Sequence, residues 1–234
     1  MRHLRNAGGH LLLWATFAGN LRPWVGGNDM MEPIVYAVDD DQGILTSLEW
    51  LLKSVQLECA CFSQGAEFLE AYDPGRPSCI VLDVRMPAMS GFDVLEEINK
   101  RKLTSPVIFV TANGNIPMAV KAIQQGSFNF IEKPYDPQEM LDLIFKALRT
   151  STAELEQEKD FRTFEIRFNL LSAREKQILH EVVKGKRSKV IAHELGISCK
   201  TVDAHRSSIR DKFQSTSLTS LVKEVLSYKS EWRL

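Results

Sequence analysis

The chain has 234 residues, which is enough for one or two domains with a buried core. Its composition, with 44% hydrophobic and 25% charged residues, is that of an ordinary globular protein and excludes a fibrous or intrinsically disordered chain. No apolar run approaches the length needed to span a bilayer, so we expect no membrane partner.

The net charge of −1 conceals two halves of opposite sign. Residues 32–150 carry 10 basic and 17 acidic side chains, a net charge of −7, whereas residues 170–234 carry 13 basic and 7 acidic ones, a net charge of +6. An acidic half suits a metal cation, and a basic half suits a polyanion such as nucleic acid. The sequence therefore predicts two domains with different partners.

The beginning of the chain resembles a secretory signal, with two arginines in its first five residues and a short apolar stretch over 11–19. Cysteine usage points the other way, because the four cysteines show neither a C-x-x-C spacing nor a metal-ligand spacing with histidine. We expect reduced thiols and a cytoplasmic protein. Since Met30 and Met31 stand directly before the first strand, we interpret residues 1–31 as a mis-started or poorly ordered extension.

From Ile34 to about Thr150, short apolar runs alternate with stretches of helical periodicity. Strands are predicted over 34–38, 58–62, 79–83, 107–110 and 128–131, and helices over 42–55, 65–72, 91–98, 116–125 and from Pro137 onward. Gly126 is expected to end the fourth helix, and Pro137 to stand in the first turn of the fifth. Five such β/α units predict a doubly wound, five-stranded parallel sheet with helices on both faces.

Four of these strands end in residues that carry charge or a hydroxyl group. The residues are Asp39, Asp40 and Asp41 after the first strand, Asp83 at the end of the third, Thr111 after the fourth, and Glu132 and Lys133 after the fifth. Because the carboxyl ends of parallel strands meet at one edge of a sheet, where ligands bind in open α/β folds, we expect these side chains to converge. Asp41 is expected to be either a solvated carboxylate or the cap of the first helix.

Carboxylates that are packed together disfavour full ionisation, and a hard divalent cation such as Mg²⁺ or Mn²⁺ relieves the repulsion. We expect Asp40 and Asp83 to hold such a cation, with Asp39 binding directly or through water and a backbone carbonyl just past Asp83 as a further ligand. Asp83 then becomes a nucleophile toward phosphorus, while Lys133 and Thr111 meet the charge on the phosphoryl oxygens. The Lys133–Pro134 bond is a candidate cis peptide.

Residues 151–168 are charged and rich in Gln and Glu, and we predict a helical linker that continues the fifth helix. From Leu170 the pattern becomes all-helical, with helices over about 173–184, 189–195, 199–214 and 218–228. Ser172 and Glu175 have the spacing of a capping box at the first of these. The order of a short helix, a Leu-Gly-Ile turn and a serine-capped helix is typical of a DNA-binding helix-turn-helix.

Periodicity assigns the two faces of the helix over 199–214. Val202, Ile209 and Phe213 mark the inward stripe, with His205 between them, and the opposite face is expected to meet DNA. The predicted DNA-binding residues on or beside that face are Lys200, Thr201, Asp203, Ala204, Arg206, Ser207, Arg210 and Lys212. Asp203, Ala204 and Arg210 are candidates for contact with base edges, and the lysines and Arg206 for contact with phosphates. For any single cation, a solvated surface role is equally open.

The pair Asp39–Asp40, Asp83 within L-D-V-R-M-P, Thr111 and Lys133–Pro134 resemble the receiver domain of bacterial two-component response regulators, with the FixJ-like subgroup most similar. The resemblance covers 33–150. It implies that Asp83 accepts a phosphoryl group from a sensor histidine kinase, and that Arg85 binds the metal through its backbone carbonyl. It assigns Asp39 and Asp40 to the metal pocket, Lys133 to the phosphoryl group, and Thr111 and Phe130 to a conformational switch.

A simple core role for Phe130 stays open, because alternation along Phe128-Asn129-Phe130 places both rings on one face. The C-terminal runs L-S-A-R-E and K-V-I-A-H-E-L-G-I-S resemble the LuxR-type four-helix DNA-binding domain over about 168–230. That resemblance implies that the helix over 199–214 enters the major groove.

Together the resemblances imply a flavodoxin-like receiver domain over 32–150, a helical linker over 151–168 and an all-α helix-turn-helix domain over 169–234. The protein is then expected to be a regulator rather than an enzyme, which dimerises on phosphorylation, binds double-stranded DNA and works with RNA polymerase. One alternative is a magnesium-dependent phosphohydrolase, which would want an acid at position 85, where this chain has Arg85. The other is a regulator that binds DNA without phosphorylation, against which the complete acidic pocket argues.

Overall fold

The computed structural model describes residues 31–228, so the predicted extension lies, apart from Met31, outside the described residues. The described chain divides after Thr152 into two compact units. Within residues 31–228, no helix combines the length and the apolar composition that crossing a bilayer requires.

The first unit is built on a parallel sheet of β1 (Ile34–Val38), β2 (Glu58–Phe62), β3 (Ser78–Asp83), β4 (Val107–Thr111) and β5 (Asn129–Glu132). The strand order is β2-β1-β3-β4-β5, and every neighbouring pair is parallel. The helices that connect and follow the strands are α1 (Gln42–Ser54), α2 (Gly65–Ala71), α3 (Gly91–Lys100), α4 (Ile116–Gln124) and α5 (Pro137–Asn169). The predicted doubly wound, five-stranded sheet is confirmed.

The sheet is buried on both faces, which explains why its central strands are continuous apolar runs. Successive residues of β3 enter different clusters: Ile80 and Leu82 pack with Phe68 and Ile98, whereas Val81 packs with Ile144 on the other side of the sheet. All residues of β1, β3 and β4 are buried. The rigid middle of the sheet therefore carries the strand ends at which the polar residues lie.

Two local features fix the loops beside those strand ends. Of the two roles open to Asp41, the structure shows the cap: Asp41 accepts hydrogen bonds from the backbone amides of Gly43 (2.7 Å) and Ile44 (3.4 Å) at the start of α1. At the start of α3, a Cβ atom on Gly91 would lie 2.3 Å from the carbonyl oxygen of Asp83. Only glycine therefore lets α3 begin directly against the end of β3.

The second unit contains α6 (Ala173–Val183), α7 (Ser188–Leu195), α8 (Cys199–Phe213) and α9 (Leu218–Ser227). Its core also includes Phe164 and Phe168, which belong to the C-terminal part of α5. At the other end of the predicted linker, the buried Ser151 hydroxyl accepts a hydrogen bond from the backbone amide of Ser78 (3.0 Å) in the first unit. The segment 151–168 is thus helical, as predicted, but its two ends belong to the cores of the two units and only 153–160 is mostly exposed.

A buried carboxylate fastens α6 to α8. The Glu175 side chain accepts hydrogen bonds from the Lys212 ammonium (2.7 Å), the Ser208 hydroxyl (2.7 Å) and the Ser172 backbone amide (2.7 Å). Ser172 completes the predicted capping box by accepting from the Glu175 amide (3.2 Å). Burial alone would raise the pKa of Glu175, but these hydrogen bonds outweigh burial and lower it to about 2.

We expect Glu175→Gln to lower the free energy of unfolding of the second unit at pH 7 by roughly 1–3 kcal/mol, because it leaves the Lys212 ammonium without its anion. The carboxylate titrates near 2 in the folded chain against 4.5 for the free group. Its contribution is therefore complete above pH 4.5 and is lost as the pH falls toward 2. Urea unfolding, read by hydrogen exchange of α6 and α8 peptides, should show the difference between wild type and variant narrowing over that range.

Glu156→Gln, which changes an exposed carboxylate of α5, serves as the control and should match the wild type at every pH. A Glu175→Gln protein that is equally stable at pH 7 would contradict the importance of this buried charge.

Candidate functional site

The polar residues predicted to converge lie at the carboxyl edge of the sheet. Asp39 directly follows β1, Asp83 ends β3, Thr111 ends β4 and Lys133 directly follows β5. The parallel register pairs Asp83 with Val110 and Thr111 with Glu132. The backbone amide of Lys133 donates to the carbonyl oxygen of Thr111 (2.8 Å), which fixes the first residue after β5 against the end of β4.

The side chain of Lys133 connects the two buried carboxylates of this edge. Its ammonium donates to Asp39 Oδ2 (2.5 Å) and to Asp83 Oδ1 (2.8 Å). The remaining oxygens accept from backbone amides: Asp83 Oδ2 from Arg85 (2.6 Å) and Asp39 Oδ1 from Asp41 (3.0 Å). Both carboxylates are only 5–6% exposed, so these partners replace most of their water.

One cation shared by two buried carboxylates leaves the site with an excess of negative charge. Burial opposes the charge of Lys133, but the hydrogen bonds and charges of Asp39 and Asp83 outweigh it and raise the pKa of the ammonium. Burial raises the pKa of Asp39 as well, although Lys133 and the Asp41 amide act against it. The site therefore holds Lys133 charged and would gain from a further positive charge.

The predicted set of metal ligands is only partly assembled. Asp39 and Asp83 share one ammonium, but Asp40 is exposed, and in the part of the chain that the structure describes no three His, Cys, Asp or Glu side chains are arranged to hold a metal ion. Asp39 and Asp40 both follow the last residue of β1, and of the two only Asp39 is buried. Two buried carboxylates still fit Mg²⁺, which keeps several waters and needs few protein oxygens. The side chain of Arg85 is exposed, and its main chain lies beside the Asp83 carboxylate, because the Arg85 backbone amide donates a hydrogen bond to Asp83 Oδ2.

The predicted switch residues lie on either side of the loop that follows β4. Thr111 is 1% exposed, and its hydroxyl oxygen accepts from the amide of Asn113 (3.4 Å). A Cβ atom on Gly114 would lie 3.2 Å from the ring of the half-buried Phe130, so this loop runs directly over the ring. A movement of the loop therefore has to be matched by Phe130.

The expectation that Phe128 and Phe130 share one face is wrong. Phe130 packs on the cluster that contains Phe109, whereas Phe128 packs on the opposite cluster with Ile131. The reason is that β5 begins only at Asn129, so Phe128 precedes the strand and does not follow its alternation.

Tyr135 is a residue of this site that the sequence did not reveal. It lines a small cleft together with Asp39, Asp83 and the apolar side chains of Leu45 and Leu48. Burial raises the pKa of its hydroxyl, with Lys133 acting against this effect. Its place directly after the Lys133–Pro134 peptide, which is cis as predicted, was the available signal.

In the second unit, the inward stripe is as predicted, since Val202, Ile209 and Phe213 are buried. The residues predicted to meet DNA are exposed or half-buried along α8, namely Lys200, Thr201, Asp203, Ala204, Arg206, Ser207, Arg210 and Lys212. Lys212 differs from the rest, because its ammonium is bound to Glu175 and to the carbonyl oxygen of Leu170 (3.1 Å). Lys212 therefore helps to hold α8 in place, and we do not count it among the DNA contacts.

Two family models match the chain: the response regulator receiver domain over residues 35–145, and the bacterial regulatory proteins of the luxR family over residues 169–225. Similar proteins include the response regulator protein TmoT of Ectopseudomonas mendocina and the transcriptional regulatory protein FixJ of Azorhizobium caulinodans. Each is 38% identical over 192 residues, which is 82% of this chain, and 87% and 91% of the relatives respectively.

Solved structures agree with these matches. The response regulator StyR is 37% identical with a TM-score of 0.78, and the alignment covers 85% of this chain and all of that one. Full-length FixJ from B. japonicum is 31% identical with a TM-score of 0.50, over 82% of this chain and 95% of that one. A receiver domain joined to this type of DNA-binding domain implies a sensor kinase and DNA as partners. The chain belongs to the response regulators of two-component systems, DNA-binding transcription regulators that join a receiver domain to a LuxR-type helix-turn-helix domain.

Proposed function

We propose that Asp83 accepts a phosphoryl group from a sensor histidine kinase, and that the aspartyl phosphate controls dimerisation and promoter binding. The observation that supports this most strongly is the position of the Asp83 carboxylate, which is buried at a strand end between the Lys133 ammonium and the Arg85 amide. In the transfer, a carboxylate oxygen of Asp83 bonds to phosphorus as the bond from phosphorus to the kinase histidine breaks.

The other residues of the site act on charge and position. Lys133 is held charged beside Asp83 and would donate to a phosphoryl oxygen, and the Thr111 hydroxyl would donate to another. Asp39, Asp83, the Arg85 carbonyl and Asp40 through water would hold Mg²⁺ or Mn²⁺, which when bound supplies positive charge to the phosphoryl oxygens. The chain receives a group and transmits a signal, and we expect no catalytic turnover of a substrate.

The switch proposal rests on the loop over Phe130. When the Thr111 hydroxyl turns toward a phosphoryl group, the loop that contains Asn113 and Gly114 has to follow, because the amide of Asn113 is bonded to that hydroxyl. The Phe130 ring lies directly beneath this loop and would turn inward with it. This loop leads directly into α4, and β5, which contains Phe130, contacts α4. We therefore expect phosphorylation to change the surface of α4.

That surface is suited to a second copy of the chain. Ile116, Val120 and Ile123 follow one another at helical spacing on α4 and are 81%, 48% and 52% exposed. Within α4, Ala122 is the residue whose side chain is buried against the sheet of the first unit. An apolar stripe of this kind marks an interaction surface, and we propose that it forms the homodimer after phosphorylation. Two DNA-binding domains on two half-sites then bind far more tightly than one.

For the bound state, we propose that α8 enters the major groove. Asp203, Ala204 and Arg210 are assigned to base edges, Lys200 and Arg206 to phosphates, with Thr201 and Ser207 beside them. RNA polymerase, which must be recruited or blocked at a promoter, is the further partner that we propose. Because a protein that binds promoters has to reach the DNA of a bacterium, we also propose a cytoplasmic location.

The central test compares wild type with Asp83→Asn in acetyl phosphate and magnesium. We expect wild type to gain the mass of one phosphoryl group and to bind a DNA site chosen by selection from random sequence roughly tenfold or more tightly, because the protein dimerises. Asp83→Asn should show neither change. Intact-mass spectrometry and fluorescence anisotropy provide the two readings.

Asp160→Asn, an exposed carboxylate of α5, is the matched control and should behave as wild type. If Asp83→Asn binds DNA as tightly as the phosphodonor-treated wild type, binding does not depend on phosphate and the proposal fails.

A second test concerns the apolar stripe of α4. We expect Ile116→Glu to abolish dimer formation after phosphodonor treatment, since it places a charge where the two copies would bury apolar surface, and to leave phosphorylation at Asp83 intact. Light scattering coupled to size-exclusion chromatography measures the first effect and intact mass the second.

Ile166→Glu changes another exposed isoleucine, 66% exposed on α5, and should dimerise normally. A phosphorylated Ile116→Glu protein that still forms dimers would place the interface elsewhere.

A further inference from the structure

Ser188, the first residue of α7, bonds two residues of α8 at once. Its hydroxyl donates to Asp203 Oδ1 (2.7 Å) and accepts from Arg206 Nη1 (2.5 Å). Asp203 and Arg206 are three residues apart on α8 and therefore lie on neighbouring positions of one helical face. The serine hydroxyl thus stands between a carboxylate and a guanidinium that would otherwise be free to pair with each other or with solvent.

This arrangement matters because a carboxylate is an unusual group on a surface that meets DNA. An uncompensated negative charge there is repelled by the phosphates, whose attraction to basic side chains supplies most of the affinity. The hydroxyl of Ser188 and the guanidinium of Arg206 compensate Asp203, and Ser188 stands in the first turn of α7, where the helix dipole favours a negative charge. Asp203 can therefore face DNA at a smaller electrostatic cost.

The same bonds restrict how Asp203 can be used. Its Oδ1 atom accepts from Ser188, which restricts the rotation of the carboxylate and leaves Oδ2 to accept from the exocyclic amine of a base, such as that of cytosine. Arg206 keeps its remaining N–H groups for a phosphate. A hydroxyl that orients an acceptor without touching DNA itself would alter which base is preferred more than how tightly DNA is held.

We propose that Ser188 is a positioning residue for DNA recognition, which holds the Asp203 carboxylate in the orientation that reads a base. By bonding Arg206 as well, Ser188 prevents a direct ion pair between Arg206 and Asp203. This inference rests on the proposed function in one respect, namely that Asp203 contacts a base edge. It goes further by assigning sequence preference to a residue that lies on α7, outside the recognition helix.

The test uses the full chain with acetyl phosphate and magnesium and selects binding sites from a random DNA library. Wild type and Ser188→Thr, which keeps the hydroxyl, should select the same sequence. Ser188→Ala should lose discrimination at one base pair of each half-site by about fivefold or more, and Asp203→Asn should lose it at the same base pair. The dependence of affinity on salt should change little for Ser188→Ala, because Arg206 keeps N–H groups for a phosphate even when it pairs with Asp203.

Two comparisons keep the outcomes distinct. Ser188→Thr and Ser188→Val have nearly the same shape and differ in the hydroxyl, so a difference between them cannot come from packing alone. Ser47→Ala, an exposed helical serine of α1, is the control for serine replacement and should match wild type.

If Asp203→Asn changes base preference and neither Ser188→Ala nor Ser188→Val does, the positioning role is overturned while the proposed DNA contact stands. If Asp203→Asn leaves the preference unchanged, the proposed contact itself fails, and the role of Ser188 fails with it. A uniform loss of affinity on all sequences in both Ser188→Ala and Ser188→Val would also overturn the inference and make Ser188 part of the scaffold.

Discussion

The bond of one ammonium to two buried carboxylates is the interaction on which the first unit depends. Asp39 directly follows β1 and Asp83 ends the adjacent strand β3, and their charges would repel each other without a cation between them. Lys133 directly follows β5, which is separated from β3 by β4, and its long side chain reaches both acids. The strand order and the length of lysine together make this edge of the sheet a site where charge is nearly, but not fully, balanced.

The buried carboxylate of the second unit differs from those of the first in the number of its hydrogen-bond donors. Glu175 has its own ammonium as well as a hydroxyl and an amide donor, and its pKa falls to about 2, whereas Asp39 shares its cation and its pKa is raised. A carboxylate with a full set of donors is inert and fastens helices together. A pair of carboxylates with one shared cation can still accept a metal ion or a phosphoryl group, which is what distinguishes a site of chemistry from a structural bond.

Much of this architecture follows from local sequence. Apolar periodicity and caps placed the helices and strands to within about one or two residues, and the strand-end positions of Asp83, Thr111 and Lys133 predicted where they meet. The position of Asp41 directly before α1 indicated the capping role that the structure shows. These features are predictable from the sequence because each depends on residues that are close together in the chain.

What the sequence could not supply depends on contacts between distant segments. The inward bond of Lys212 requires that α6 and α8 pack together, and the bridge from Ser188 requires the same of α7 and α8. Phe128 was misplaced because the start of β5 is set by pairing with β4 rather than by alternation. The exposure of Asp40 likewise depends on where β1 ends. In each case a residue of ordinary local character takes its role from a partner far along the chain.

The most direct measurement is an NMR titration of the aspartate carboxyl carbons in wild type and in Lys133→Met, made without metal. The shared-cation account predicts that the pKa of Asp39 lies above its ordinary value of 3.8 in wild type and that removing Lys133 raises it further. An Asp39 that titrates at or below 3.8 in wild type, and does not respond to the loss of Lys133, would contradict the account.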